Sequence, residues 1–69
     1  MKNYAKNLAN NIKKLRKINN LTIEELSQKT GINSGFLIKI EQAKAKRIFI
    51  SHIDTFCKCF HVEISELFE

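Results

Sequence analysis

The stretch that decides the fold runs from Leu21 to Glu41 and reads LTIEELSQKTGINSGFLIKIE. Thr22 is a favourable N-cap, and Glu25 stands three residues later, the spacing of a reciprocal capping box. Leu21 before the cap and Leu26 at the fourth helical position form a hydrophobic staple. The pattern predicts a helix from Ile23 to about Thr30. Gly31 follows, where a left-handed C-cap residue is wanted and glycine enters cheaply. Asn33 caps a second helix, with Ile32 and Leu37 as its staple. Leu37 and Ile40 lie three apart and share a face. The stretch reads as helix, tight turn, helix. Two helices joined by so short a turn approach closely, and Ser27 supplies the small side chain needed at the crossing.

Outward from this centre the chain stays helical. Before it, Tyr4, Leu8, Ile12, Leu15 and Ile18 form an apolar stripe on a helix over Asn3 to Asn19. After it, Ser51 caps a fourth helix, with Asp54 in its first turn. Ile53, Phe56, Cys57 and Phe60 follow the i, i+3, i+4, i+7 core spacing. A fifth, short helix runs from Ile64 to Phe68. The expected class is all-α, a compact five-helix bundle forming one domain over residues 1–69. Sixty-nine residues allow only a small core. No apolar run reaches the ~18 residues of a membrane span, and the N-terminus lacks a signal-peptide core. A cytoplasmic location is expected. The formal net charge of +5 is unevenly spread. Residues 1–23 carry Lys2, Lys6, Lys13, Lys14, Arg16 and Lys17 without an acid, whereas residues 48–69 set Lys58 against Asp54, Glu63, Glu66 and Glu69. Basicity at one end fits a polyanion partner, although a solvated lysine-rich helix face gives the same composition.

Leu26, Ser27, Gly31, Ile32, Asn33, Leu37, Ile40 and Glu41 together resemble the helix-turn-helix of the phage-repressor-like regulators, the Cro/cI type or XRE family. The resemblance extends from about Leu8 to Phe68, with the helix-turn-helix at about residues 23–42. It implies a lambda-repressor-like DNA-binding domain whose second motif helix enters a major groove of double-stranded DNA. Carried over by position, the candidates for base contact are Asn33, Ser34, Gly35, Phe36, Ile38 and Lys39. Ser34 can donate or accept, Lys39 can reach guanine O6 or N7, and Phe36 and Ile38 can rest on thymine methyls. The implied phosphate contacts are Thr22, the N–H groups at Ile23 that open the first motif helix, Gln42, Lys44, Lys46 and Arg47. The resemblance also pairs Arg16 with Glu41, tying the first helix to the third; the alternative is an exposed arginine without a fixed partner. Val62, Ile64, Leu67 and Phe68 are more apolar surface than a short tail easily buries, and in the family this end often forms a two-fold dimer contact. The alternative is that they only close the domain's own core. The expected function is a small transcriptional regulator that binds a palindromic operator as a homodimer, close to the nucleoid.

The sequence also departs from the family pattern. Ile23 stands where a phosphate-gripping glutamine is common, and Gly35 offers no side chain for readout. Ala43 occupies a usual glycine position, and the loop QAKAKRIFI is about one residue longer than usual and lacks proline. Ile23, Phe36 and Ile38 therefore support an alternative, a helix-turn-helix scaffold or antitoxin-like module that binds a protein partner and reads DNA weakly.

Cys57, Cys59 and His61 spell C-x-C-x-H. Residues two apart on a helix point about 200° apart, so both thiols cannot face one metal. Cys57 is expected to be a buried free thiol, and a disulfide between the two is disfavoured by the same geometry. His52 and His61 stand alone, no nucleophile–base set is visible, and no phosphate-binding glycine loop occurs. Neither catalysis nor a metal or other cofactor is expected.

Overall fold

The computed structural model describes residues 3–69, so Lys2 of the basic N-terminal run lies outside the described residues. Five helices follow in order: α1 (Tyr4–Ile18), α2 (Ile23–Thr30), α3 (Ser34–Glu41), α4 (Ile50–Phe60) and α5 (Ile64–Phe68). Among the described residues there is no strand. α1 packs on α3 and α5, α2 packs on α3 and α4, and α4 packs on α5.

Side chains make the starts of α1, α2, α3 and α4. Asn3 Oδ1 accepts from the Lys6 N–H at 3.0 Å and opens α1. Both halves of the capping box at α2 are present, Glu25 N–H to Thr22 Oγ1 at 3.1 Å and Thr22 N–H to Glu25 Oε1 at 2.9 Å. Asn33 Oδ1 accepts from the N–H groups of Gly35 and Phe36 and opens α3. α4 begins earlier than the serine signal predicted. Its N-cap is Phe49, and His52 Nδ1 accepts the Phe49 N–H at 3.1 Å. Ser51 is therefore inside the helix, and Asp54 lies in the second turn, paired with Lys58 at 3.0 Å.

The helix ends share one device. One residue past α2 and α4, and two past α1 and α3, the chain takes a left-handed backbone: Gly31 (φ 73°), His61 (φ 56°), Asn20 (φ 56°) and Ala43 (φ 58°). After α1 the Asn20 and Leu21 N–H groups return to the carbonyls of Lys17 and Arg16. After α3 the Ala43 and Lys44 N–H groups return to Ile40 and Lys39. Both are Schellman closures, which satisfy carbonyls that the helix leaves free. At the α2–α3 turn, Ser27 Oγ also donates to the Ile32 carbonyl at 2.6 Å. Its small hydroxyl thus both permits the close approach and bonds across it.

The core is formed by Leu8, Ile12, Leu26, Ile32, Leu37, Ile40, Ile53, Phe56, Phe60 and Leu67. The stripe on α1 is shorter than its sequence pattern. Ala9 is buried and Leu15 half-buried, while Tyr4 and Ile18 are exposed. α5 is held onto α1 by two bonds the sequence did not announce: Asn7 Nδ2 donates to the Phe68 carbonyl and Asn11 Nδ2 to the Leu67 carbonyl, at 3.2 and 2.9 Å. They supply partners for carbonyls at the end of a five-residue helix.

The tail corrects one expectation. Leu67 has no exposed surface and belongs to this chain's own core, so it is not available to a second copy. Val62 is half-buried against the same cluster, and Phe68 is half-buried with its ring edge-on to Tyr4, centroids 6.2 Å apart. Of the four tail residues, Ile64 alone is largely exposed.

Candidate nucleic-acid interface

α3 is fixed on three sides. Leu37 and Ile40 are buried below it. Its C-terminal end is tied to α1, because Arg16 Nε and Nη2 donate to the two carboxylate oxygens of Glu41 at 2.7 and 3.0 Å, and Arg16 Nη1 donates to the Leu21 carbonyl at 2.8 Å. The bond to Glu41 raises the Arg16 pKa further; burial opposes this, and the nearby carboxylate charge adds to it. The third support is Phe36, whose half-buried ring lies 5.1 Å from the His52 ring of α4. Phe36 is thus partly engaged in a brace between helices rather than free to meet a thymine methyl.

The segment between α3 and α4 alternates its attachments. Ala45 and Ile48 pack against the core, while Lys44 before them and Lys46 and Arg47 between them are exposed. Anchoring the apolar residues forces the cations outward. A groove of about 900 Å³ runs between α3, this segment and the first turns of α4. It brings together Asn33, Phe36, Lys39, Lys44, Lys46 and Arg47 from the candidate list. Four cations therefore border one concave surface.

Other candidates lie elsewhere. Thr22, Ile23, Ser34, Gly35, Ile38 and Gln42 do not line this groove. Asn33 is on its wall, but its Oδ1 is already engaged as the α3 cap. Gly35 and Lys39 are exposed, Ser34 is half-buried, and Ile38 is 42% exposed. The opening of α2 is poorly suited to an anion. Thr22 is engaged with Glu25 through both its side chain and its N–H, Ile23 packs against the core, and Glu24 and Glu25 put two carboxylates in the first turn. Glu25 is held below the usual carboxylate range, chiefly by the Thr22 backbone N–H and then by its hydroxyl.

Sequence reasoning missed Phe49 and His52, which also line the groove. Their rings lie 5.6 Å apart, so Phe36, His52 and Phe49 form a continuous aromatic run through the basic surface. The signal was present as an aromatic directly after KAKRI, but placing the helix start at Ser51 put both residues in the wrong local setting.

Cys57 and Cys59 are free and half-buried rather than fully buried. Burial raises both thiol pKa values; Asp54, Glu63 and Glu66 raise that of Cys57 further, and Lys29 opposes the shift at Cys59. The two thiols therefore face different surroundings. Among the described residues no three His, Cys, Asp or Glu side chains are grouped to hold a metal ion, and no helix is long and apolar enough to cross a membrane.

Comparison with known proteins agrees with this geometry. A crystal structure of an HTH_3 family transcriptional regulator from Vibrio cholerae superposes with a TM-score of 0.83 at 25% sequence identity over 94% of this chain. The chain spans only 36% of that protein's length. No curated protein matches the chain. The profile of the Cro/C1-type HTH DNA-binding domain matches residues 11–69, which include the whole of α2, the turn and α3, the groove and the tail. The chain belongs to the Cro/C1-type helix-turn-helix family of DNA-binding domains.

Proposed function

We propose that this protein is a sequence-specific transcriptional regulator that binds a two-fold operator in duplex DNA as a homodimer. The observation that carries the reading is the basic groove beside α3, where Lys39 from its last turn meets Lys44, Lys46 and Arg47 of the segment that follows. α3 enters the major groove and Lys39 reaches a guanine edge, with Gly35 allowing close approach and Ile38 offering an apolar contact. The segment 44–47 neutralises phosphates along one strand. Because the α2 opening carries Glu24 and Glu25, the backbone grip falls mainly on the α3–α4 side, with Gln42 at its margin. The extents of one copy, 33 × 23 × 21 Å, suit two copies placed side by side with recognition helices about 34 Å apart, one turn of DNA.

The reading as a protein-binding module loses its surface. Ile23 packs on the core and Phe36 on His52, which leaves Ile38 without apolar neighbours from that set.

The test is fluorescence anisotropy on duplex DNA across a salt series. With three phosphate-neutralising cations per copy, Lys44, Lys46 and Arg47, log K per bound copy should fall against log [salt] with a slope of roughly −2.7. A slope near zero removes the reading.

A further inference from the structure

The basic groove holds one side chain that pairing with phosphates does not use. Phe49 lines it together with Lys46 and Arg47, and the residue is 60% exposed. This exposure has a local cause. Ile48 packs against the core, so the residues on either side of it, Arg47 and Phe49, are turned out to the groove. Phe49 has an extended backbone (φ −82°, ψ 156°), and His52 Nδ1 accepts its N–H. The position of the ring is therefore set by its backbone, while most of its surface stays in water. We infer that Phe49 is a DNA-contacting residue, its ring packing on a deoxyribose of the strand whose phosphates Lys46 and Arg47 neutralise. The inference rests on the DNA-binding reading above and adds to it a contact that carries no charge.

Charge complementarity selects the occupant. Lys39, Lys44, Lys46 and Arg47 border the groove, and no Asp or Glu lines it. An apolar protein surface seated there would desolvate cations without compensation. A polyanion neutralises them. Phosphate oxygens offer nothing to a phenyl ring, but the C–H edges of the sugars between phosphates do. The Cα atoms of Arg47 and Phe49 lie at most ~7 Å apart. When Arg47 holds one phosphate, Phe49 therefore falls on a neighbouring sugar. The sugar recurs at every nucleotide, so the contact is blind to sequence and leaves base reading to α3. Phe36 is not equivalent, because its half-buried ring is engaged with His52.

The contact divides affinity into two parts. Pairing of cations with phosphates releases counterions and sets the salt slope. Burying a phenyl ring releases none, so its contribution persists at high salt.

Anisotropy titrations of the full chain test this on a selected duplex and on one of scrambled sequence, across a salt series. Phe49→Ala should weaken both duplexes by about five- to tenfold at every salt concentration, with the slope unchanged. Phe49→Leu should recover most of that loss, because the contact needs apolar surface rather than a ring. Thermal melts of the three free proteins should agree closely, since the ring is exposed and the α4 cap uses the Phe49 backbone. Wild-type affinity in Phe49→Ala overturns the contact and leaves the DNA-binding reading standing. A loss confined to the selected duplex overturns it in favour of base reading. A loss as deep in Phe49→Leu as in Phe49→Ala overturns it too, the ring then acting through His52. A flattened salt slope overturns it in favour of an effect on the cations. A wild type without salt-dependent binding to either duplex removes the DNA-binding reading itself, and this contact with it.

Discussion

The guanidinium of Arg16 holds the carboxylate of Glu41 in a two-bonded grip, with only 14% and 8% of the two side chains exposed. Twenty-five positions separate them in the chain, and the pair fixes α3 relative to α1. Removing one partner leaves the other charge desolvated without compensation. Arg16→Ala or Glu41→Ala should therefore destabilise the fold by about 3 kcal/mol, at the lower end for buried pairs because some exposure remains. Arg16→Met combined with Glu41→Leu should cost less than either single change. Urea unfolding of the four proteins measures this directly.

Ala43 sits at φ 58°, a left-handed conformation in which a side chain is strained. Ala43→Gly should relieve about 1–2 kcal/mol of backbone strain and return part of it through a more flexible unfolded chain, for a net gain of roughly 0.5–1 kcal/mol. Gly31→Ala is the reverse case. Its φ is 73° and an added Cβ meets nothing within 4 Å, so the loss of about 1 kcal/mol should be purely conformational. Thermal melts of both variants, taken together, should move in opposite directions.

The capping box gives a pH dependence with a definite sign. Glu25 titrates below the ordinary glutamate range, mainly because its carboxylate accepts the Thr22 N–H. Its contribution to stability is therefore present above the unfolded-state pKa and is lost as pH falls through the lowered folded-state one. Wild type should melt above Glu25→Ala at neutral pH, and the gap should close only in acid below the usual glutamate range. A gap that widens on acidification contradicts the assignment.

Lys39 and Lys46 border the same groove but have different tasks. Lys39→Ala should relax preference at one base pair and cost roughly 1–3 kcal/mol on the best site. Lys46→Ala should weaken all duplexes alike and reduce the salt slope by about 1. Binding titrations on matched and mismatched duplexes at several salt concentrations separate the two.

His52 links both sides of that groove, accepting the Phe49 N–H and lying against the Phe36 ring. His52→Ala removes a helix cap, which should cost about 1 kcal/mol of stability. It also leaves Phe36 unsupported, so DNA affinity should fall in conditions where the variant is still fully folded. Unchanged affinity there would show that the brace does not position α3.

The helix-turn-helix was legible because its signals are local. Thr22 with Glu25, Gly31, and Asn33 each specify a cap or turn within four residues, and α2 and α3 begin and end where those signals stand. The start of α4 was not legible, because its cap uses a histidine ring on the Phe49 backbone while Ser51 offers a more familiar signal. The attachment of α5 was hidden for another reason. Asn7 and Asn11 bond carbonyls 61 and 56 positions away, and nothing in the local pattern of α1 marks an asparagine for that task. Leu67 was misassigned because a short apolar tail looks the same in sequence whether it faces a partner or its own core. Lys44, Lys46 and Arg47 stand together in the sequence, but their place beside α3 followed from the family resemblance rather than from charge. The engagement of Phe36 with His52 required the packing of α4.

The central claim is that two copies of α3 read a two-fold operator. Selection from a random duplex library at ~150 mM salt, with the bound fraction sequenced, tests it most directly. The account expects a palindromic motif whose half-sites lie one helical turn apart, about 10–10.5 base pairs. Recovery of DNA without a shared motif, held only by salt-sensitive bulk binding, would contradict sequence-specific readout by α3.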